Sequence, residues 1–114
     1  MTKRILSISY DPSLLLTRQL LLQQMGHEVR SAEGFAKAWD ICGEHGGGFD
    51  LIILGHSIPR SDKEAIIAHV AKACTAPVLA LLRPHEGDVR GATRSVDASD
   101  PMGFLAAVRE MLSR

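Results

Sequence analysis

The chain has little of what would tie it to nucleic acid, to a membrane or to an oxidising compartment. Aromatic residues are only 4% of its 114 residues, so it has no series of stacking side chains for single strands. Its 13 Lys and Arg are matched by 13 Asp and Glu and form no basic run, whereas binding driven by phosphate neutralisation needs a concentrated basic face. The two cysteines, Cys42 and Cys74, have neither CxxC nor zinc-ligand spacing and read as reduced core residues of a cytoplasmic protein. No apolar run approaches the roughly 20 residues of a membrane span. Met1 to Arg4 lead straight into a short strand pattern rather than into a signal peptide. His27, His45, His69 and His85 show no metal-ligand spacing. These absences leave one globular domain, with no metal, no cofactor, no nucleic acid and no membrane expected.

What is present is an alternation of short apolar runs with longer helical patterns. Ile5 to Ser9, His27 to Ser31, Asp50 to Leu54, Pro77 to Leu82 and a weak segment near Ser95 and Val96 read as strands. Asp11-Pro12 opens a first helix that Gly26 closes. A second helix spans Phe35 to Cys42, with Phe35, Trp39 and Cys42 on one face, and Gly43 to Gly48 follows as a connector. Ser61-Asp62-Lys63-Glu64 has the spacing of a capping box for a third helix that carries Ile66, Ile67, Val70 and Cys74. Arg83 to Arg90 is polar and allows at most one helical turn. Asp100-Pro101 starts a last helix with an apolar stripe from Phe104 to Leu112. Repeated βα units imply a parallel sheet with right-handed crossovers and helices on both faces.

Ligands in this architecture bind at the carboxyl ends of the strands, which directs attention to the loops after Ser9, Leu54, Leu82 and Val96. No phosphate loop follows the first strand, because Gly46-Gly47-Gly48 precedes a strand and not a helix. There is no GxSxG nucleophile elbow, and an enzyme is not expected. His56 is the one titratable residue well placed for chemistry. Arg60, Arg83, Arg90 and Arg94 could gather at one sheet edge and attract an anion.

Four stretches carry a resemblance to a known family. They are Lys3 to Pro12, Met25 to Val29, Phe49 to Leu54 with Ile58-Pro59, and Gly91-Ala92 followed by a short strand and an Asp-Pro-started helix. In this order the chain resembles a response-regulator receiver domain of two-component signalling. The resemblance implies a flavodoxin-like α/β fold, a doubly wound five-stranded parallel sheet in the order 2-1-3-4-5, here as one domain over 1–114 with a shortened fourth helix. It also implies that the second and third helices share a face, placing Cys42 and Cys74 on the same side.

The positions that carry receiver chemistry differ. Ser9 and Tyr10 match the acidic pair that holds Mg²⁺. Gly55 matches the phosphoacceptor aspartate, Leu82 the Ser or Thr after the fourth strand, and Ala98 the lysine after the fifth. Carboxylates for a hard cation, a carboxylate nucleophile, and a hydroxyl and cation for the phosphoryl oxygens are all missing there. Asp11 remains, and helix capping suits it. The expectation is a degenerate receiver that works without phosphorylation as a protein-interaction module, its partner a signalling protein or a second copy. Leu14, Leu15 and Leu16 are the candidate contact face, and Leu82 is expected to pack into the sheet edge. The alternative is a small-ligand or anion sensor in the former pocket, with Asp11, His56 and Arg83 at its mouth.

Overall fold

A computed structural model describes residues 2–45, 48–73 and 76–113. Cys74 and the first two glycines of Gly46-Gly47-Gly48 lie outside the described residues. The order of elements is β1 (Arg4–Ser9), α1 (Pro12–Gln24), β2 (Glu28–Glu33), α2 (Phe35–His45), β3 (Leu51–Leu54), α3 (Arg60–Ala73), β4 (Val78–Leu82), β5 (Arg94–Asp97) and α4 (Pro101–Leu112). All strand pairs are parallel, and the sheet order is β2-β1-β3-β4-β5. The flavodoxin-like arrangement expected from the sequence is therefore the one observed.

The central strands are apolar on both sides because both faces are covered. Side chains alternate across a strand, so Ile52 and Leu54 of β3 join the core under α2 and α3, with Leu6, Ile8, Ile66 and Val70. Leu51 and Ile53 point the other way and join Ile5, Leu22, Phe104 and Val108 under α1 and α4. Cys42 lies in the α2–α3 core. None of the described helices is long and apolar enough to cross a membrane.

Local details depart from the sequence reading in three places, all in α2 and α3. The helix α2 continues through Gly43 to His45, although glycine costs about 1 kcal/mol in a helix interior. Its expected single face divides, because Cys42 is buried while Phe35 stacks on Trp39 with ring centroids 4.4 Å apart and remains exposed. Helix α3 starts at Arg60, so Ser61 lies inside its first turn and the capping box does not form. The Glu64 carboxylate instead accepts the Arg90 N–H at 3.0 Å. Between β4 and β5 the shortened helix is reduced to one turn, in which Glu86 N–H donates to the Arg83 carbonyl at 3.0 Å and His85 takes φ +65°.

Candidate functional site

The carboxyl edge of the sheet is a polar network built on the loop after β3. Ser9, wholly buried at the end of β1, places Oγ 2.9 Å from Ser57 Oγ and accepts the Asp11 N–H at 3.1 Å. Ser57 Oγ also accepts the Tyr10 N–H at 3.0 Å. The Tyr10 hydroxyl donates to Asp62 of α3 at 3.0 Å. Burial, then the hydrogen bond and charge of Asp62, push the Tyr10 phenol above its usual range. Asp11 Oδ1 accepts the N–H groups of Ser13 and Leu14 and so caps α1. Ser9, Tyr10 and Asp11 are thus held by hydrogen bonds to the chain itself.

At the end of β3, Gly55 N–H donates to the Ile8 carbonyl at 2.8 Å. A Cβ built on Gly55 would stand 2.7 Å from Arg18 Nη1 and 3.2 Å from both the Ile8 carbonyl oxygen and Ser9 Oγ. Arg18 reaches this place from the buried stripe of α1, between Leu15 and Leu22, and is only 9% exposed. Its Nη2 lies 2.9 Å from His56 Nδ1. Because a guanidinium only donates, Nδ1 must accept and the imidazole proton is assigned to Nε2. Arg18 Nη1 is buried with no hydrogen-bond partner. Among the described residues no carboxylate stands within ion-pair distance of Arg18.

Burial and the charges around His56 set its protonation. Burial first, then the cations Arg18, Lys63 and Arg83, push its pKa below the ordinary value, and Asp11 opposes them. The ring is therefore neutral at pH 7. Burial likewise lowers the pKa of the Arg18 guanidinium, again against Asp11.

A second cation lies on the other side of the same loop. Lys63 of α3 has no solvent exposure, and its Nζ donates to the Leu81 carbonyl at 2.7 Å and to both Glu86 oxygens at 2.8 and 2.9 Å. Burial alone would raise the Glu86 pKa, but the Lys63 hydrogen bond, the Arg83 N–H and the two positive charges outweigh it and lower it. Arg83 turns back over the loop after β3, donating from Nε to the His56 carbonyl at 2.6 Å and from Nη2 to the Ser57 carbonyl at 2.8 Å.

The structure thus brings Ser9, Tyr10, Gly55, His56 and Arg83 together, and it engages Arg83 in the scaffold. Leu82 is half-buried against the α2–α3 core, and its carbonyl accepts the Ala98 N–H at 2.9 Å. The four arginines do not gather: Arg94 pairs with Glu110, and its strand position is opposite Leu79, far from the carboxyl end of β4. Leu14, Leu15 and Leu16 are not one exposed face either. Each helical residue turns by about 100°, so Leu15 is buried, Leu14 is half-buried, and the exposed pair is Leu16 and Leu20, at 55% and 53%. Arg18, Ser57, Lys63 and Glu86 are the site residues that the sequence reading missed. A signal existed for the cations: Leu15, Arg18 and Leu22, and Lys63, Ile66, Ile67 and Val70, have the spacing of a buried helical stripe.

A cleft of about 210 Å³ opens beside this network, between α1 and α4. Leu14, Leu21, Leu81, Ala98, Pro101 and Phe104 form its apolar wall, and Thr17, Arg18 and His56 supply the polar part. Among the described residues, no group of three His, Cys, Asp or Glu is placed to hold a metal ion.

No protein-family model and no curated protein sequence matches the chain. Solved structures do. The receiver domain from hybrid histidine kinase CckA is 25% identical, with a TM-score of 0.78 over 96% of this chain and 98% of that one. The non-phosphorylated HemR receiver domain from Leptospira biflexa is 22% identical, with a TM-score of 0.80 over 98% and 95%. A response-regulator receiver domain protein from Clostridium thermocellum is also 22% identical, with a TM-score of 0.78 over 98% and 95%. This chain has the fold of a response-regulator receiver domain. In this receiver fold, Arg18 stands over Gly55 at the carboxyl end of β3, and the single turn at Arg83–Glu86 links β4 toward β5.

Proposed function

We propose that this receiver-like domain is a signalling module of the two-component type that binds a protein partner, accepts no phosphoryl group and catalyses no reaction. The observation that carries the reading is Arg18 over Gly55: its Nη1 takes the space into which a side chain at that position would project. Ser9, Tyr10, Leu82 and Ala98 support it, because none offers a carboxylate for Mg²⁺ or a cation for phosphoryl oxygens. Leu16 and Leu20, one turn apart and more than half exposed on α1, supply an apolar contact for a signalling protein or a second copy.

Intact-mass spectrometry after incubation with acetyl phosphate and Mg²⁺ tests the reading. The mass should stay unchanged. Stoichiometric gain of one phosphoryl group would overturn it. Sedimentation over a wide concentration range tests the second copy, and a monomer throughout removes the homodimer and leaves the signalling partner.

A second reading, sensing of a small ligand or anion at the same edge, is favoured by one specific observation. Arg18 is a buried guanidinium with an unpartnered N–H and no carboxylate in ion-pair distance among the described residues.

A further inference from the structure

We propose that the cleft between α1 and α4 binds a small free carboxylate with an apolar body about the size of benzoate, its carboxylate received by Arg18 with His56 as the second donor. The inference rests on the ligand-sensing reading above and names its ligand class.

Three observations converge on it. First, buried polar groups are nearly always hydrogen-bonded, and a buried charge is paired. Arg18 is nine-tenths buried, and its Nη1 has no partner. The other buried cation of this edge, Lys63, has a carboxylate on it. Arg18 therefore lacks the carboxylate that Lys63 has, and because it lines the cleft, a carboxylate bound there supplies the missing counter-charge to a guanidinium, the side chain best matched to that group.

Second, His56 is set to donate as well. With Nδ1 accepting from Arg18, its proton is on Nε2. A neutral imidazole there gives an anion a hydrogen bond while the guanidinium supplies the charge.

Third, the wall of the cleft selects the rest of the ligand. Apart from Arg18, His56 and Thr17, its lining is Leu14, Leu21, Leu81, Ala98, Pro101 and Phe104. Inorganic phosphate or acetate would leave that surface uncovered. Pockets for organic ligands combine such apolar walls with a few polar groups that fix orientation. The volume is about 210 Å³, and a cavity of roughly 150 Å³ holds a benzene ring, so the room suits one ring or a short branched chain with its carboxylate. Binding is non-covalent. The site takes Leu14, Thr17, Arg18 and Leu21 from α1 and, of the five receiver-type positions, only Ala98, which is wall.

The test is an NMR titration of the whole domain with benzoate, with neutral benzamide and with inorganic phosphate. Saturable shifts with benzoate at Leu14, His56 and Phe104, weaker by at least about tenfold with benzamide, are expected, because a hydrogen bond to a charged group is worth that much. Phosphate should leave Leu14 and Phe104 unmoved. Arg18→Met should weaken benzoate by a similar factor with the remaining spectrum retained, and Arg18→Lys should restore part of it.

No saturable benzoate shift, equal binding of benzamide, or phosphate moving the same residues would each overturn the inference. Should Arg18→Met not fold, the comparison of benzoate with benzamide on the unaltered chain decides alone. Phosphoryl uptake from acetyl phosphate is a separate measurement, so failure of this inference leaves the phosphorylation-free reading standing, and the converse also holds.

Discussion

Helices α1 and α3 each carry one cation into the interior at the carboxyl edge of the sheet, and the two cations differ in what they meet. Lys63 of α3 reaches a backbone carbonyl and the carboxylate of Glu86, whose side chain is only 8% exposed. Arg18 of α1 reaches one imidazole nitrogen and leaves Nη1 without a partner. The Lys63 pair ties α3 to the turn after β4, so it works as a structural clamp. Arg18 ties α1 to the loop after β3 with a hydrogen bond, and the Asp11 charge acts on it from beyond ion-pair distance. A buried charge without an ion-pair partner is a cost to the folded state, and the contrast separates a cation that clamps the fold through a carboxylate from one that reaches none.

The largest expected effect breaks the clamp. Lys63→Met leaves the Glu86 carboxylate buried without its partner, and removing one member of a buried pair costs about 3–5 kcal/mol. Urea unfolding should show that loss. The matching Arg18→Met change should lie within about 1 kcal/mol of the parent, since it trades one hydrogen bond for an apolar side chain in the place of an unpaired charge. Equal losses at the two sites would show that Arg18 is compensated as Lys63 is.

The middle effect concerns Gly55. Gly55→Ala puts a methyl group 2.7 Å from Arg18 Nη1 and 3.2 Å from the Ile8 carbonyl oxygen, and overfilling a packed site costs about 1–3 kcal/mol. Gly55→Asp adds the same Cβ but also a carboxylate for the guanidinium. Its loss should be smaller than that of Gly55→Ala, and it should still take no phosphoryl group, because the new carboxylate is held by Arg18. Thermal unfolding of the two variants gives the order, and labelling of Gly55→Asp by acetyl phosphate would defeat the account.

The smallest effect is in the pH dependence. His56 has a folded pKa below its ordinary value of about 6.5. The unfolded chain therefore binds the proton first, and stability should be full above pH ~6.5 and fall as the pH drops below it. Glu86 also has a lowered folded pKa, but as a carboxyl its contribution is complete above the usual glutamate range, about 4.3, and falls only below it. His56→Gln should remove the first decline and keep the second, and Lys63→Met should weaken the second most and the first only in part, since burial and Arg18 still lower the His56 pKa. Unfolding curves measured from pH 7.5 to 3.5 separate the two steps, and a single decline unaffected by His56→Gln would show that burial and the neighbouring cations do not lower the pKa of that histidine.

Strands and helices were legible because their signals are local. Leu51 to Leu54 is apolar at every position and Asp11-Pro12 is a helix start, whereas the face read at Leu14, Leu15 and Leu16 failed because three consecutive helical residues turn by about 100° each and point different ways. The capping box at Ser61 misled because Glu64, whose carboxylate it required, is taken by the Arg90 N–H, 26 residues away. The site was less legible. Its empty receiver positions were visible as residue types, and its two buried cations were visible as polar interruptions in apolar stripes, but a stripe reports only which side of a helix is inside.

By itself the sequence determined the alternation of strands and helices, the domain's apolar faces, and the absence of a carboxylate side chain at Gly55. Only the tertiary structure decided that Arg18 stands over Gly55, that its partner is His56 38 residues away, and that Lys63 instead meets Glu86, 23 residues away. The physical reason is that periodicity is a property of one segment. The partner of a buried charge depends on which strand ends the crossovers bring side by side, here β1, β3 and β4 in the middle of the sheet, and on which loop arrives there with a carboxylate.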